Sequence, residues 1–218
     1  MTFKRGKKAS DLKVIGETGS PDETGTKVSF YPDFEVMDHN EFSFDVLRKR
    51  LRETAYLMGT VGLTLTITDH RVDKFEEFCF PGGLREFVKH LNRAKTAIHD
   101  DVIYISKTAP SPTEPDMVPY EVELALQYND GYNENIYTFV NGRYVSDSTV
   151  RAAIKGSYGT LLEKGRYPSV VLFLDVPHEM VDINVHPAKT EVRFHDTNSI
   201  YRAVYHSIAD ALAETPWV

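Results

Sequence analysis

The sequence predicts an α+β fold, with a mostly antiparallel sheet and helices on one face. Residues 120–128 alternate apolar and polar side chains, as a strand does when one of its faces is buried. Residues 170–176 form a near-continuous apolar run, which is typical of a central strand. A helical repeat follows in the last part of the chain, where the apolar residues are Ile200, Val204, Ile208 and Leu212. Together, the two strand patterns and the amphipathic helix indicate an α+β fold.

Composition limits the classes of function. With 218 residues the chain can hold one large domain or two small ones. The formal net charge of −7 argues against autonomous tight binding to nucleic acid, which needs a basic surface. One basic cluster stands near the start and contains Lys4, Arg5, Lys7, Lys8 and Lys13. We interpret it as a solvated tail or edge strand, with a contact to a phosphate backbone as the alternative.

Cysteine and apolar content indicate the compartment. The single cysteine, Cys79, excludes an internal disulfide and a cysteine-rich metal site. We expect it to be a small buried hydrophobe, because no base is spaced to make it a nucleophile. No apolar run is long enough to span a membrane, and no secretory signal opens the chain. The expected location is therefore cytoplasmic, without a membrane partner and without a bound metal.

The first half of the chain has strand and helix patterns in turn. Residues 12–15 and 27–31 each predict a short strand. Ser43 is a candidate N-cap for an amphipathic helix whose basic face is either solvated or in contact with phosphates. A hairpin follows, with strands at residues 63–67 and 75–80, and a short helix at residues 84–93.

The second half continues the sheet. Residues 102–105 predict a strand, and the proline-rich residues 106–119 predict an extended loop. Asn129-Asp130-Gly131 predicts a hairpin between residues 120–128 and 136–140, because Asn and Gly tolerate positive φ. A helix capped by Asp147 or Ser148 should end at Gly165, and the last helix should begin near Asp196 or Thr197.

The stretch 181–194, VDINVHPAKTEVRF, has the most specific pattern. Val181, Ile183 and Val185 alternate with polar residues, and alternation resumes with Val192 and Phe194 after a proline break. Lys189 therefore lies at a tip between two strands. Its long stem and compact charge suit contact with a phosphate on a neighbouring surface, although a solvated hairpin lysine has the same spacing.

Motifs along the chain resemble two families of ATPase. Residues 12–16 (LKVIG), 25–33 (GTKVSFYPD), 47–57, 80–83 (FPGG), 87–92 (FVKHLN) and 122–131 (VELALQYNDG) resemble the GyrB component of bacterial DNA gyrase, a type IIA topoisomerase. Residues 139–143 (FVNGR), 165–168 (GRYP) and 181–194 resemble the MutL mismatch-repair proteins. Both families belong to the GHKL superfamily. The change of likeness predicts a chimera, gyrase-like to about residue 138 and MutL-like from about residue 139.

The resemblance implies a domain organisation and a role for particular residues. Residues 1–36 would be a remnant of the end of an ATP-binding domain, and residues 37–218 a transducer domain with the left-handed βαβ arrangement of a ribosomal-protein fold. Lys189 would reach the γ-phosphate of ATP, as its catalytic and cofactor-binding residue. Thr26 would lie near the adenine and touch it through water. ATP and Mg²⁺ would bind only through a neighbouring GHKL ATP-binding domain, with none bound by this chain alone.

The missing motifs limit the activity. The superfamily uses a Glu base and an Asn metal ligand on one helix, a DxGxG turn and a glycine-rich lid, and the sequence has none of these. We therefore expect a transducer without ATP turnover of its own. An ATPase completed by a partner chain and a purely structural chimera stay open, as does a homodimer. DNA would be a partner of the full-length parent and bind weakly or not at all here, since Ser148 stands where MutL relatives often carry a basic residue.

Overall fold

In the computed structural model of the chain, residues 1–16, 19–20, 24–37, 41–109, 120–131, 134–159, 161, 167–183, 185 and 190–215 are described. The chain divides into two compact units, Met1–Leu47 and Arg48–Val218. The predicted boundary after residue 36 stays a prediction. Within the described ranges, no helix is both long and apolar enough to cross a bilayer.

The first unit contains a short ribbon that carries the basic cluster. Strands β1 (Phe3–Lys4) and β2 (Lys7–Lys8) pair antiparallel. The turn between them needs positive φ at both Arg5 (49°) and Gly6 (75°). The Arg5 guanidinium also pairs with Asp33 at 2.6 Å. The predicted edge strand is thus confirmed for the residues of this ribbon.

Two predicted strands of the first unit are wrong. Residues 12–15 and 27–31 have no strand conformation, and Val14 and Ile15 are 93% and 97% exposed. A strand is stable only when its N–H and C=O groups meet a neighbouring strand. In the described part of this unit, neither segment has a ladder partner. The alternating pattern therefore shows only that one face of the segment could be buried. It does not show that a neighbouring strand is available for pairing.

The following elements agree with the sequence. Helix α1 (Phe44–Leu57) begins after Ser43, whose Oγ accepts a hydrogen bond from the backbone N–H of Val46 at 3.4 Å. Strands β3 (Leu65–Asp69) and β4 (Lys74–Phe78) form the predicted hairpin, and helix α2 spans Gly83–Leu91.

The expected burial of Cys79 is wrong, because its side chain is exposed. It directly follows the buried Phe78. Successive side chains of an extended segment point to opposite faces, so the residue after an inward phenylalanine faces solvent.

A five-stranded sheet forms the centre of the second unit. Its strands are β5 (Ile103–Ala109), β6 (Tyr120–Gln127), β7 (Asn135–Val140), β8 (Arg143–Val145) and β9 (Ser169–Asp175), in the order β5-β6-β9-β7-β8. All neighbours are antiparallel except β7 and β9. The α+β class, the antiparallel-dominated sheet and the central position of residues 170–176 are confirmed. Strand β5 continues to Ala109, so the predicted loop begins later, and residues 110–119 lie outside the described ranges.

The remaining elements follow β8 and β9. Helix α3 (Ser148–Ser157) is capped by Asp147, whose side chain accepts from Val150 N–H at 2.9 Å. It ends before Tyr158 and not at the predicted Gly165, which lies outside the described residues. Strands β10 (Val181–Asp182) and β11 (Arg193–Phe194) precede helix α4 (Thr197–Ala213), which begins where predicted and is capped by Asp196.

Helices cover both faces of the sheet, which corrects the expectation of one covered face. Helices α3 and α4 pack on one face, against alternate residues of β6 and β9 such as Leu124 and Leu172. Tyr56 of α1 and the apolar side of α2 pack on the other, against Ala125 and Val171. The reason is that the central strands are apolar on both faces, and each apolar face needs a covering layer.

The predicted β6–β7 hairpin is also wrong, since β9 lies between these strands. The Asn129 side chain is buried, and its Nδ2 donates to Ser169 Oγ at 3.3 Å. Its Oδ1 accepts from the Gly131 backbone N–H at 2.9 Å. Because the Asn129 side chain bonds to Gly131 and to Ser169 of β9, it forms a local turn after β6. The chain does not fold back as a hairpin strand beside β6.

Candidate functional site

The candidate site is the end of the sheet where the chain leaves β10 and returns in β11. The two strands pair antiparallel, with Val181 opposite Phe194. Both of these side chains are buried in the core under α3 and α4. The predicted alternation holds at Val181 and the partly buried Ile183, but Val185 is exposed. The paired strands are thus anchored in the core, and residues 183–192 stand between them in the sequence.

Hydrogen bonds tie the returning side of this connection to other elements. The Ser146 backbone N–H, just after β8, donates to the Thr190 carbonyl at 2.8 Å. The His195 N–H donates to the Met180 carbonyl at 3.0 Å. Thr190 is half-buried, although it lies next to the predicted tip. These contacts hold the residues that flank the tip on the core of the unit.

The turn between β7 and β8 forms a second part of the site. Asn141 and Gly142 have positive φ values of 47° and 77°, as in type I′ hairpin turns. Asn141 Nδ2 donates to the Val176 carbonyl at 3.0 Å, and Asn141 Oδ1 accepts from the Val176 N–H at 2.9 Å. One side chain therefore satisfies both backbone polar groups of Val176. Sequence reasoning overlooked this hairpin, although Asn-Gly between two apolar runs is its usual signal.

Of the two predicted site residues, Lys189 and Thr26, the structure describes only Thr26. Lys189 lies outside the described residues. Thr26 is exposed on an irregular segment of the first unit. Their roles at a phosphate and an adenine stay predictions.

The first unit has a cavity of about 890 Å³, and it does not suit a triphosphate. Thr26 is not among its lining residues, which include Phe3, Arg5 and Asp33. The Arg5 cation in its wall is already paired with Asp33 at 2.6 Å and Glu35 at 2.7 Å. A phosphate would have to displace two carboxylates from the guanidinium, so this cavity is not a ready nucleotide site.

The basic side of α1 is engaged within the second unit. Arg48 and Arg52 both pair with Glu76 of the β3–β4 hairpin, at 3.1 and 3.2 Å. Arg50 pairs with Glu53 at 3.1 Å. If this face were to bind phosphates, these ion pairs would have to break. In the structure, Arg48 and Arg52 instead connect α1 to the β3–β4 hairpin.

Titratable groups whose pKa is shifted serve structure. The Ser199 hydroxyl and backbone N–H donate to Asp196, and they hold the pKa of this carboxyl below its usual value. Burial raises the pKa of the Tyr128 hydroxyl to about 12. Among the residues described, no three His, Cys, Asp or Glu side chains gather where they could hold a metal ion.

Comparisons with known proteins agree on the kind of domain. The family model for the DNA mismatch repair protein, C-terminal domain, matches residues 111–213. The chain is 45% identical to the gyrase B protein of Clostridium acetobutylicum over 140 residues, which is 64% of this chain and 20% of that protein. It is 39% identical to the gyrase B protein of Thermotoga maritima over 163 residues, which is 74% of this chain and 25% of that protein. The resemblance to gyrase B proteins and to mismatch-repair proteins is therefore confirmed.

Solved structures of gyrase B proteins share the fold of this chain. The gyrase B protein of Myxococcus xanthus aligns with a TM-score of 0.63 at 16% identity, over 90% of this chain and 60% of that chain. The 43K ATPase domain of Thermus thermophilus gyrase B, in complex with an aminocoumarin, aligns with a TM-score of 0.59 at 23% identity, over 85% of this chain and 52% of that chain.

The chain matches only part of each gyrase relative, and its gyrase and mismatch-repair matches overlap along the sequence. The chain spans 20% and 32% of the first two curated relatives that it matches. The mismatch-repair model begins at residue 111, and a gyrase alignment that covers 74% of the chain extends past residue 138 wherever it begins. The two likenesses therefore overlap. A junction at about residue 139 stays a prediction.

Proposed function

We propose that this transducer domain couples ATP binding and hydrolysis in a neighbouring GHKL ATP-binding domain to a conformational change on DNA. The observation that carries the proposal is the anchored β10–β11 base. The buried Val181–Phe194 pair and the Ser146–Thr190 hydrogen bond hold described residues on either side of the segment that contains Lys189. The likeness to gyrase B proteins supports the partner.

Lys189 would act as a sensor of the γ-phosphate. An ammonium group stabilises negative charge where it accumulates during phosphoryl transfer. ATP presents this charge and ADP does not, so the two nucleotides would bias the domain toward different conformations. Thr26 would contact the adenine through water. ATP and Mg²⁺ would be held by the ATP-binding domain, and this chain would bind neither alone.

The wider assignment follows from the same resemblance. Residues 1–36 would be the end of an ATP-binding domain, and a full-length parent would act on DNA as a gyrase-type topoisomerase or a mismatch-repair protein, in the cytoplasm and as a dimer. The pairing of Arg48 and Arg52 with Glu76 supports weak DNA binding by this chain.

ATP hydrolysis on mixing with the ATP-binding domain of a gyrase B relative tests the proposal. We expect stimulation by the wild-type chain, and loss of roughly 10²-fold or more of the stimulated rate with Lys189→Ala, as when one transition-state donor is removed. Lys107→Ala is the control, because Lys107 pairs with the exposed Asp210 side chain on α4. Stimulation that survives Lys189→Ala would overturn the sensor and would favour a structural chimera in which Lys189 is inert. No stimulation by any variant would favour the structural chimera.

A further inference from the structure

A cavity of about 420 Å³ lies between helix α2 and the neighbouring strands β5 and β6. Its wall includes Arg85 and Lys89 of α2, Tyr104 of β5 and Glu123 of β6. Ligand cavities in proteins have volumes of roughly 300–1,000 Å³, so a small molecule fits this space. The cavity lies entirely within the second unit, and the role proposed for Lys189 makes no use of it.

Arg85 is held in place while its hydrogen-bond donors stay available. Its guanidinium Cζ lies 4.2 Å from the centroid of the Tyr104 ring, a cation–π contact that restrains the side chain without using its N–H groups. Within the described part of the chain, Arg85 makes no hydrogen bond and no ion pair. The five N–H donors of this planar group can therefore all serve an anion.

Lys89 adds a second cation on the same side of α2. It stands four residues after Arg85, so both side chains project from one face of the helix. Glu86, three residues before Lys89, has the spacing of an ion-pair partner. The Glu86 carboxylate instead accepts a hydrogen bond from the Gly82 backbone N–H at 3.3 Å. Lys89 is exposed, and it makes no ion pair with any residue that the structure describes.

The carboxylate of Glu123 is likewise engaged by the protein. Its Oε1 accepts a hydrogen bond from the Tyr104 hydroxyl at 2.8 Å. Burial, together with this hydrogen bond, raises the pKa of the Tyr104 hydroxyl, which therefore stays protonated and donates at neutral pH. A carboxylate has further lone pairs, and carboxylates accept hydrogen bonds from the hydroxyl groups of a bound ribose. Glu123 can thus accept from a ligand hydroxyl.

We propose that this cavity binds a phosphorylated sugar, with Arg85 and Lys89 on the phosphate and Glu123 on a sugar hydroxyl. A guanidinium fork binds phosphate through two N–H groups, and an ammonium adds a point charge. A phosphate alone fills only part of the cavity, and the two carboxylates in the wall repel it. Hydroxyl donors on the ligand offset this repulsion. The same carboxylates disfavour a nucleic-acid strand, whose successive phosphates would pass beside them.

Calorimetric titration of the whole chain with ribose 5-phosphate tests the site. Ribose 5-phosphate should bind about tenfold or more tightly than inorganic phosphate, and ribose should give no measurable heat. Arg85→Gln should weaken the binding of ribose 5-phosphate by about tenfold or more, as expected when a hydrogen-bonded charge pair is lost. Arg93→Gln is the matched control and should keep the affinity, because Arg93 is an exposed arginine just after α2 that does not line the cavity.

A variant that gains affinity guards the test against misfolding. Glu86→Gln removes a repelling charge from the wall and should tighten the binding of inorganic phosphate by about threefold or more. Absence of ribose 5-phosphate binding, or equal binding by wild type and Arg85→Gln, would overturn the inference. A single-stranded oligonucleotide that binds more tightly than ribose 5-phosphate and depends on Arg85 would overturn it too. None of these results bears on Lys189, so the site and the proposed function can fail separately.

Discussion

The guanidinium of Arg50 in α1 lies over the ring of Tyr144 in β8, with its Cζ 5.2 Å from the ring centroid. The same guanidinium pairs with Glu53, which is only 6% exposed. Arg50 thus contacts β8 and also neutralises a buried carboxylate. Substitutions can separate the contact of Arg50 with Tyr144 from its ion pair with Glu53.

Arg50→Ala should lower the free energy of unfolding by about 1–3 kcal/mol, because it leaves the Glu53 carboxylate buried without its partner. Urea denaturation measures the change. Adding Glu53→Gln should restore part of the loss, since the buried group is then neutral. Lys107→Ala, which removes the partner of the 61% exposed Asp210 side chain, is the control and should change stability by no more than about 1 kcal/mol. Equal losses for Arg50→Ala and Lys107→Ala would contradict this account of Glu53.

Gly59 should not accept a side chain. A Cβ at this position would lie 1.9 Å from the Phe80 carbonyl oxygen, a backbone atom that cannot move aside cheaply. We expect Gly59→Ala to destabilise the chain by about 1–3 kcal/mol in thermal or urea unfolding. Gly16→Ala, where a Cβ meets nothing within 4 Å, should stay within about 0.5 kcal/mol. A stable Gly59→Ala variant would mean that α1 and the β4–α2 turn are not packed as described.

The core and the first unit should respond differently to truncation. Leu124→Ala removes a fully buried side chain from the face under α3 and α4, and should cost about 2–5 kcal/mol. Ile15→Ala should cost less than about 0.5 kcal/mol, because Ile15 is 97% exposed. A large effect of Ile15→Ala in the isolated chain would indicate that residues 12–15 are buried after all.

Asp196 should make stability depend on pH. Its pKa is lowered in the folded state, chiefly by the hydrogen bond from the Ser199 hydroxyl. A depressed folded pKa means that the stabilisation is present above the ordinary value of 3.8 and is lost as the pH falls through the lower folded value. Between pH 6 and pH 3, wild type should therefore lose more stability than Asp196→Asn, which caps the helix without titrating. Parallel curves would contradict the assignment.

Sequence patterns predicted the elements that depend on local order. The caps Ser43 and Asp147, the α4 stripe and the central strand at residues 170–176 all follow from signals within a few residues. The apolar run at 170–176 is also the signal for helices on both faces of the sheet, because a strand without a polar face needs cover on each side.

The sequence did not show which distant strands pair with one another. Asn129 and Asn141 stand in similar turn contexts, and only the buried contacts of Asn129 with Ser169 show which one does not close a hairpin. Residues 12–15 have a strand pattern without a partner in the described residues of their unit. In the candidate site, the pattern at 181–194 predicted the pair β10–β11 but not its attachment through Asn141, because that contact joins residues 35 positions apart.

The affinity of this chain for a gyrase-type ATP-binding domain, measured by calorimetry with a non-hydrolysable ATP analogue and with ADP, tests the central claim most directly. We predict binding at least roughly tenfold tighter with the ATP analogue, and loss of this difference in Lys189→Ala, because a sensor must bind the two nucleotide states unequally. Lys107→Ala should keep the difference. Equal affinities with both nucleotides, or a difference that survives Lys189→Ala, would contradict the proposed coupling through Lys189.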